Sequence, residues 1–244
     1  MNFVDSPNAQ INLDSGVFCR EEISSRSKYS DLAERRCHLP MNHKGKCAEL
    51  PFLHHLGQVA PKVAKKIERD SIMTTGASWK SKEAGPNRIL RWVMLESDDK
   101  LSTFGIHMSR LKPQVVAKLR EKAADYDSCI RVAMWLTYEI YKMPDSPDVP
   151  KHIRDYLEPL FGSIVPNSTT CTICRLPLSF SLFAAARRGK AEIETCHKDP
   201  RLHQPDNVGF AHRACNIAQG PKTLNEFYDW IEQILRRARP GVFS

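Results

Sequence analysis

Four metal-capable side chains near the end of this 244-residue chain, Cys171, Cys174, His212 and Cys215, fall into two pairs, each with two residues between its members. A Cys pair followed by a His/Cys pair at this spacing can close one tetrahedral zinc site, with all four coordination positions taken by protein. The chain between the pairs carries Glu194-Thr195-Cys196-His197, which delivers a histidine to the neighbourhood of the knuckle. The chain has eight cysteines, and their spacing fits metal ligation in a reducing compartment better than a disulfide framework.

Taken in order, Cys171-x-x-Cys174, Cys196-His197, Asn207-Val208 and His212-Arg213-Ala214-Cys215-Asn216 resemble the HNH, or ββα-metal, endonuclease family over residues 168 to 222. The resemblance implies a two-stranded ribbon and a helix packed around one catalytic divalent ion. It places the family's first histidine at His197, its middle asparagine at Asn207 and the end of its motif at Asn216. A final Asn in place of a third His is similar to phage junction-resolving and several restriction-type members. On this resemblance His197 is the general base, a role that suits an imidazole with an unperturbed pKa near 6.5. Asn207 braces the loop, and Asn216 holds Mg2+ or Mn2+ through its side-chain oxygen. The Cys171, Cys174, His212 and Cys215 zinc is then structural.

The chain departs from the family at Cys196, where most members carry an Asp ligand directly before the histidine. A thiol suits softer metals than magnesium. Three readings follow: a catalytic ion resting on Asn216 alone, a replacement oxygen ligand from Glu194 or Asp199, or a binding protein that has lost cleavage. Alternatives also stand for the histidines. His197 can be an ordinary ribbon residue or a zinc ligand displacing His212, and His203 reads as a solvated or phosphate-touching loop side chain.

A second set of metal-capable residues, Cys19, Cys37, His43 and Cys47, lies near the amino terminus, with Pro40 and Gly45 suited to a tight knuckle and His38 competing with His43. The expectation is therefore two zinc ions per chain. Arg20, Arg26, Lys28, Arg35, Arg36, Lys44 and Lys46 surround this second set, so the module reads as a possible DNA contact. The formal net charge of +8 agrees with a polyanionic partner. Arg187, Arg188 and Lys190, just before the catalytic ribbon, and Arg213 are the expected DNA-binding residues. No apolar run approaches a membrane span and no basic-then-apolar leader is visible, so the chain reads as cytoplasmic, of bacterial or phage type.

The remaining segments are read from periodicity. Residues 61 to 70 predict a short basic helix begun by Pro61. Residues 88 to 95 and 102 to 108 read as strands. Apolar spacing from 112 to 142 predicts helix, with Asp125-Tyr126-Asp127-Ser128 able to divide it into two. Trp135, Tyr138 and Tyr141 are expected in the core and Cys129 as a buried thiol. A further helix is expected over 151 to 161, and Thr223 with Glu226 forms a capping box before a last amphipathic helix.

The expected architecture is α+β. It has a zinc-binding module at 1–57, a mainly helical recognition and scaffold region at 58–165, and an HNH nuclease domain with a C-terminal helix at 166–244. The expected function is a metal-dependent, restriction-type endonuclease acting on double-stranded DNA, as a homodimer if one site cuts one strand. The alternatives are a phage-type nuclease for branched DNA and a non-catalytic zinc DNA-binding protein.

Overall fold

A computed structural model describes residues 18–22, 35–39, 41, 44, 46, 48–74, 89–185, 192–239 and 241. The described part is mostly helical, with one two-stranded sheet. Its centre is α5 (Tyr126–Tyr141), which buries eleven of its sixteen residues and so is apolar on nearly every side. Asp125 begins it by accepting a hydrogen bond from the Ser128 amide at 2.7 Å, and this cap separates α5 from α4 (Pro113–Glu121). Cys129, Tyr138 and Tyr141 are buried as expected, and Trp135 is half-buried against the same core.

Short helices α1 (His54–Val59) and α2 (Pro61–Ile72) pack together, with α2 along α5. The helix α6 (Lys151–Phe161) lies against α5 and has the bounds that the sequence predicted. The ribbon consists of β1 (Ile193–His197) and β2 (Val208–His212), antiparallel, and is followed directly by α8 (Arg213–Gln219). It packs on α5, and the Trp135 indole N–H donates to the Val208 carbonyl at 2.8 Å. One apolar cluster runs from Phe18 through α2, α5 and α6 to the ribbon and to Phe227 in α9 (Leu224–Ala238). It therefore crosses both sequence boundaries expected at 57/58 and 165/166. Thr223 and Glu226 form the expected capping box of α9. A short α7 (Phe180–Ala184) buries Phe183 against Phe210.

Two expected strands are helical instead. The described part of the first, residues 89 to 95, contributes one bridge, Met73 with Leu90, and then turns into the 3-10 helix Trp92–Leu95. Their apolar side chains fill a second cluster with Leu101, Ile106 and Met108, so burial supplied the pattern that alternation suggested. The segment from 102 to 108 holds the last two residues of α3 (Asp98–Thr103), a turn and the start of the 3-10 helix Met108–Arg110; α3 forms because Ser97 caps it and Asp98 and Asp99 sit at the positive end of its dipole. Gly105, at φ +75, turns the chain out of that helix.

The described part of the amino-terminal segment lies on α5 and α6. The Cys19 and Arg20 amides pair with the Leu39 and Cys37 carbonyls, so Cys19 and Cys37 occupy adjoining extended segments. His43 and Cys47 lie outside the described residues. His38 is buried with both ring nitrogens engaged: Nδ1 donates to the Glu49 carbonyl and Nε2 accepts from the Arg20 guanidinium, each at 2.9 Å. It has no lone pair to offer a metal in this arrangement. Among the described residues no helix is long and apolar enough to cross a membrane.

Burial, then the Arg20 charge, lower the His38 pKa from its ordinary 6.5 to about 4. The folded state therefore resists a proton that the unfolded chain accepts, and stability is lost as pH falls from 6.5 toward 4. Denaturant titrations at pH 7 and pH 5 should show a loss on the order of 2 kcal/mol attributable to His38. A His38→Gln variant, which keeps a donor and an acceptor, should have a flatter pH dependence than the parent. An identical slope would show that this ring does not control acid sensitivity.

Candidate active site

The Cys171–Cys174 turn faces the end of the ribbon. Its backbone is closed by the Cys171 amide on the Leu176 carbonyl at 2.8 Å and the Arg175 amide on the Cys171 carbonyl at 2.9 Å, with Arg175 at φ +64. His212 ends β2 and Cys215 lies in the first turn of α8. The ligand atoms of Cys171, Cys174, His212 and Cys215 lie within 4.8 Å of one another, and Cys174 Sγ is 3.3 Å from His212 Nδ1. Tetrahedral zinc with Zn–S near 2.3 Å separates its sulfur ligands by about 3.8 Å, so the cluster fits a metal of this kind. Burial works against the Cys171 thiolate, but amides of Cys174, His212 and Ile173 bring its pKa below the ordinary thiol value.

The ribbon pairs Cys196 with Gly209 and His197 with Val208. Thr172, from the metal-capable turn, donates to the Phe210 carbonyl at 3.0 Å and crosses over Gly209, where an added Cβ would lie 2.4 Å from its hydroxyl. Cys196 is buried on this side, and burial pushes its thiol up to about 12. It does not line the pocket described next, which takes Thr195 and His197 from the same strand. Strand alternation is the reason.

That pocket, of about 210 Å³, lies where the ribbon and α8 meet the middle of the chain. His197, His203, Asn216 and Gln219 line one side, and Asp70, Arg91 and Lys122 line the other. Asp70 accepts from Lys66 and Arg69, each at 2.7 Å, and from Thr195 at 3.0 Å. Burial opposes its charge, but these two cations hold its pKa below the ordinary carboxylate value. Arg91 is almost fully buried and donates to the Lys122 and Asp70 carbonyls at 2.9 and 3.2 Å, closing the floor. Burial, followed by the charges of Arg91 and Lys122, lowers His197 to about 3, so its ring is neutral at pH 7. Gln219 ties the end of α8 to β1 by donating to the His197 carbonyl at 2.9 Å.

Asn216 and Glu194 are side by side, the Asn216 amide donating to a Glu194 carboxylate oxygen at 3.0 Å. Arg213, the one described member of the expected DNA-contacting set, places its Nε 3.9 Å from the other Glu194 oxygen. Arg187, Arg188 and Lys190 lie outside the described residues. Asp199 is held by Arg201 through contacts of 2.8 and 2.9 Å. Asn207 is buried in the loop between the strands, where its amide donates to the Asp199 and Leu202 carbonyls at 2.8 and 2.7 Å and its oxygen accepts the Asp199 amide at 2.8 Å. His203, read from sequence as a solvated or phosphate-touching loop side chain, is buried rather than solvated, and it lines the pocket. Its Nδ1 lies 3.1 Å from His197 Nε2, and its Nε2 lies 2.6 Å from the Ser71 carbonyl oxygen.

Sequence reasoning missed Asp70, Arg91, Lys122, Gln219 and the true position of His203. Asp70 and Lys122 carry no local signature, since a charge in a helix or at its end is ordinary. Arg91 left a trace: it is a lone cation inside the apolar run 89 to 95.

Comparison with known proteins identifies the family of the chain. Residues 49–215 match the model of the DraIII family. The chain also superposes on a crystal structure of a type II restriction endonuclease with TM-score 0.80 and 43% identity, covering 91% of this chain and 98% of that one. No curated protein sequence matches it.

Two outcomes follow from the geometry. Asn207→Asp turns an acceptor toward two buried carbonyls and should cost about 2–4 kcal/mol, with faster amide exchange over residues 199 to 207. Unchanged exchange there would remove Asn207 as the brace. Cys215→Ser should lower bound metal by one ion per chain in elemental analysis, and unchanged content would show that the cluster holds none.

Proposed function

We propose, for a chain that belongs to the DraIII family and is by that membership a restriction-type DNA endonuclease, that cleavage runs through an HNH-type centre with His197 as general base. The observation that supports this most is the convergence of His197 and Asn216 on one pocket at the junction of ribbon and helix. This convergence sits beside a Cys3His cluster able to take zinc. Neutral His197 can accept a proton from water, the resulting hydroxide attacks phosphorus, and the bond to the 3′ oxygen breaks. Burial, then the charges of Arg91 and Lys122, make the imidazole a weak base. An incoming phosphodiester offsets both cations and raises its basicity where the substrate sits.

The catalytic ion, magnesium or manganese, would rest on Asn216 and Glu194. Their adjacent amide and carboxylate oxygens are hard donors of the sort such ions take. When bound it supplies charge stabilisation to the phosphate and the leaving oxygen. The buried, strongly protonated Cys196 fits that role poorly, which favours Glu194 over Asp199 and over the thiol as the missing ligand. Zinc at Cys171, Cys174, His212 and Cys215 would be structural, and a second at Cys19, Cys37, His43 and Cys47 completes the proposed set. DNA contacts at Arg187, Arg188, Lys190 and Arg213, and a homodimer for cutting both strands, belong to the same reading. The three-part division of the chain at 57/58 and 165/166 remains a proposal about recognition and cleavage modules.

A second reading, a DNA-binding protein without cleavage, draws on Cys196 in place of the family's acidic ligand. Cleavage of mixed genomic DNAs with magnesium or manganese separates the two. The parent should cut at defined sites, and His197→Ala should lose about 10²–10⁴-fold in kcat with DNA affinity retained. Glu194→Ala should lose activity and shift its metal requirement, whereas Cys196→Ala should stay within a few-fold. A parent inert with both metals but active as Cys196→Asp would establish the binding reading. Near-parental activity in His197→Ala would remove it from the chemistry.

A further inference from the structure

We propose that His203 is the positioning residue that holds His197 in its working tautomer, anchored on the last turn of α2. The inference deepens the nuclease reading and rests on His197 being the base. The chain of hydrogen bonds settles the proton positions. Ser71 offers a carbonyl oxygen, which can only accept, so His203 Nε2 at 2.6 Å must carry the hydrogen. A neutral His203 then has a bare Nδ1, and the 3.1 Å contact is made by His197 Nε2–H donating to it. His197 is thereby left with its lone pair on Nδ1, which makes no hydrogen bond among the described residues while the ring lines the pocket. The proton of the attacking water goes to that nitrogen.

The anchor is itself well placed. Ser71 lies in the final turn of α2, where carbonyls have no intrahelical partner and the dipole is negative, so a donor there is favoured. The ring of His203 is buried and its centroid lies 5.4 Å from that of His197, which keeps water from competing for the shared hydrogen bond. As His197 takes up a proton during turnover, its Nε2–H becomes a stronger donor to the same Nδ1 acceptor. His203 thus orients the base and favours its charged form without touching substrate, a role that fixes which nitrogen reacts.

Two measurements on the full chain test this. In long-range 15N–1H correlation spectra of the 15N-labelled parent at pH 7, both rings should show the neutral Nε2–H tautomer, assigned with His197→Gln and His203→Asn. Finding His197 with its proton on Nδ1 overturns the proposal, and this readout does not depend on cleavage. In steady-state kinetics His203→Ala should lose kcat on the order of 10–100-fold, less than removal of the base itself, with KM for DNA within a few-fold. His203→Asn, whose side-chain oxygen can accept from His197, should recover most of the loss. Parental kcat in His203→Ala beside an inactive His197→Ala overturns this inference alone. An active His197→Ala overturns the nuclease reading beneath it. Equal loss in His203→Ala and His203→Asn, with metal content and thermal midpoint unchanged, also counts against the acceptor role.

Discussion

The end of α2 is the contact on which the site depends. Asp70 and Ser71 are neighbours in one helical turn, and they reach β1 and the inter-strand loop by different routes: the Asp70 carboxylate takes the Thr195 hydroxyl, and the Ser71 carbonyl meets His203. A two-stranded ribbon is marginal by itself in water. Here it is fastened on one side to the metal-capable turn through Thr172, on another to α5 through the Trp135 indole, and to α2 through Thr195 and, at its tip, His203. Each fastening comes from a different stretch of chain, so the pocket exists only when the helical middle is folded around it.

Charge balance in the pocket follows from the same packing. Burial and the charges of Arg91 and Lys122 act on His197 together, and Asp70 and Asp199 offset them only in part. The free protein therefore presents a neutral imidazole in a cationic recess. Such a recess is complementary to a phosphodiester, and on the proposed reading its ordering before substrate arrives would reduce the reorganisation that cleavage there requires.

The amino-terminal segment is tied to the same scaffold by polar contacts reaching α5 and α6. Arg20 pairs with Asp127 at 3.0 Å, the Tyr126 hydroxyl donates to Glu49 at 3.0 Å, and the Tyr156 hydroxyl donates to the His38 carbonyl at 2.7 Å. Breaking one member of such a buried network leaves its partner unsatisfied, which makes this junction sensitive to single substitutions.

Local chemistry was readable where one short stretch of residues carries the whole instruction. The spacing of Cys171, Cys174, His212 and Cys215 anticipated their convergence, and Asp125, Thr223 and Pro61 marked helix starts by caps and proline geometry that need no distant partner. The apolar runs at 88 to 95 and 102 to 108 misled, because burial from several sides erases the difference between strand and helix patterns. His203 and Asp70 were decided by tertiary structure alone. A histidine in a proline-containing loop and an aspartate near a helix end have the same local appearance whether solvated or buried. Only the meeting of α2 with the inter-strand loop, over residues 125 to 132 positions apart in sequence, turns them into parts of one site.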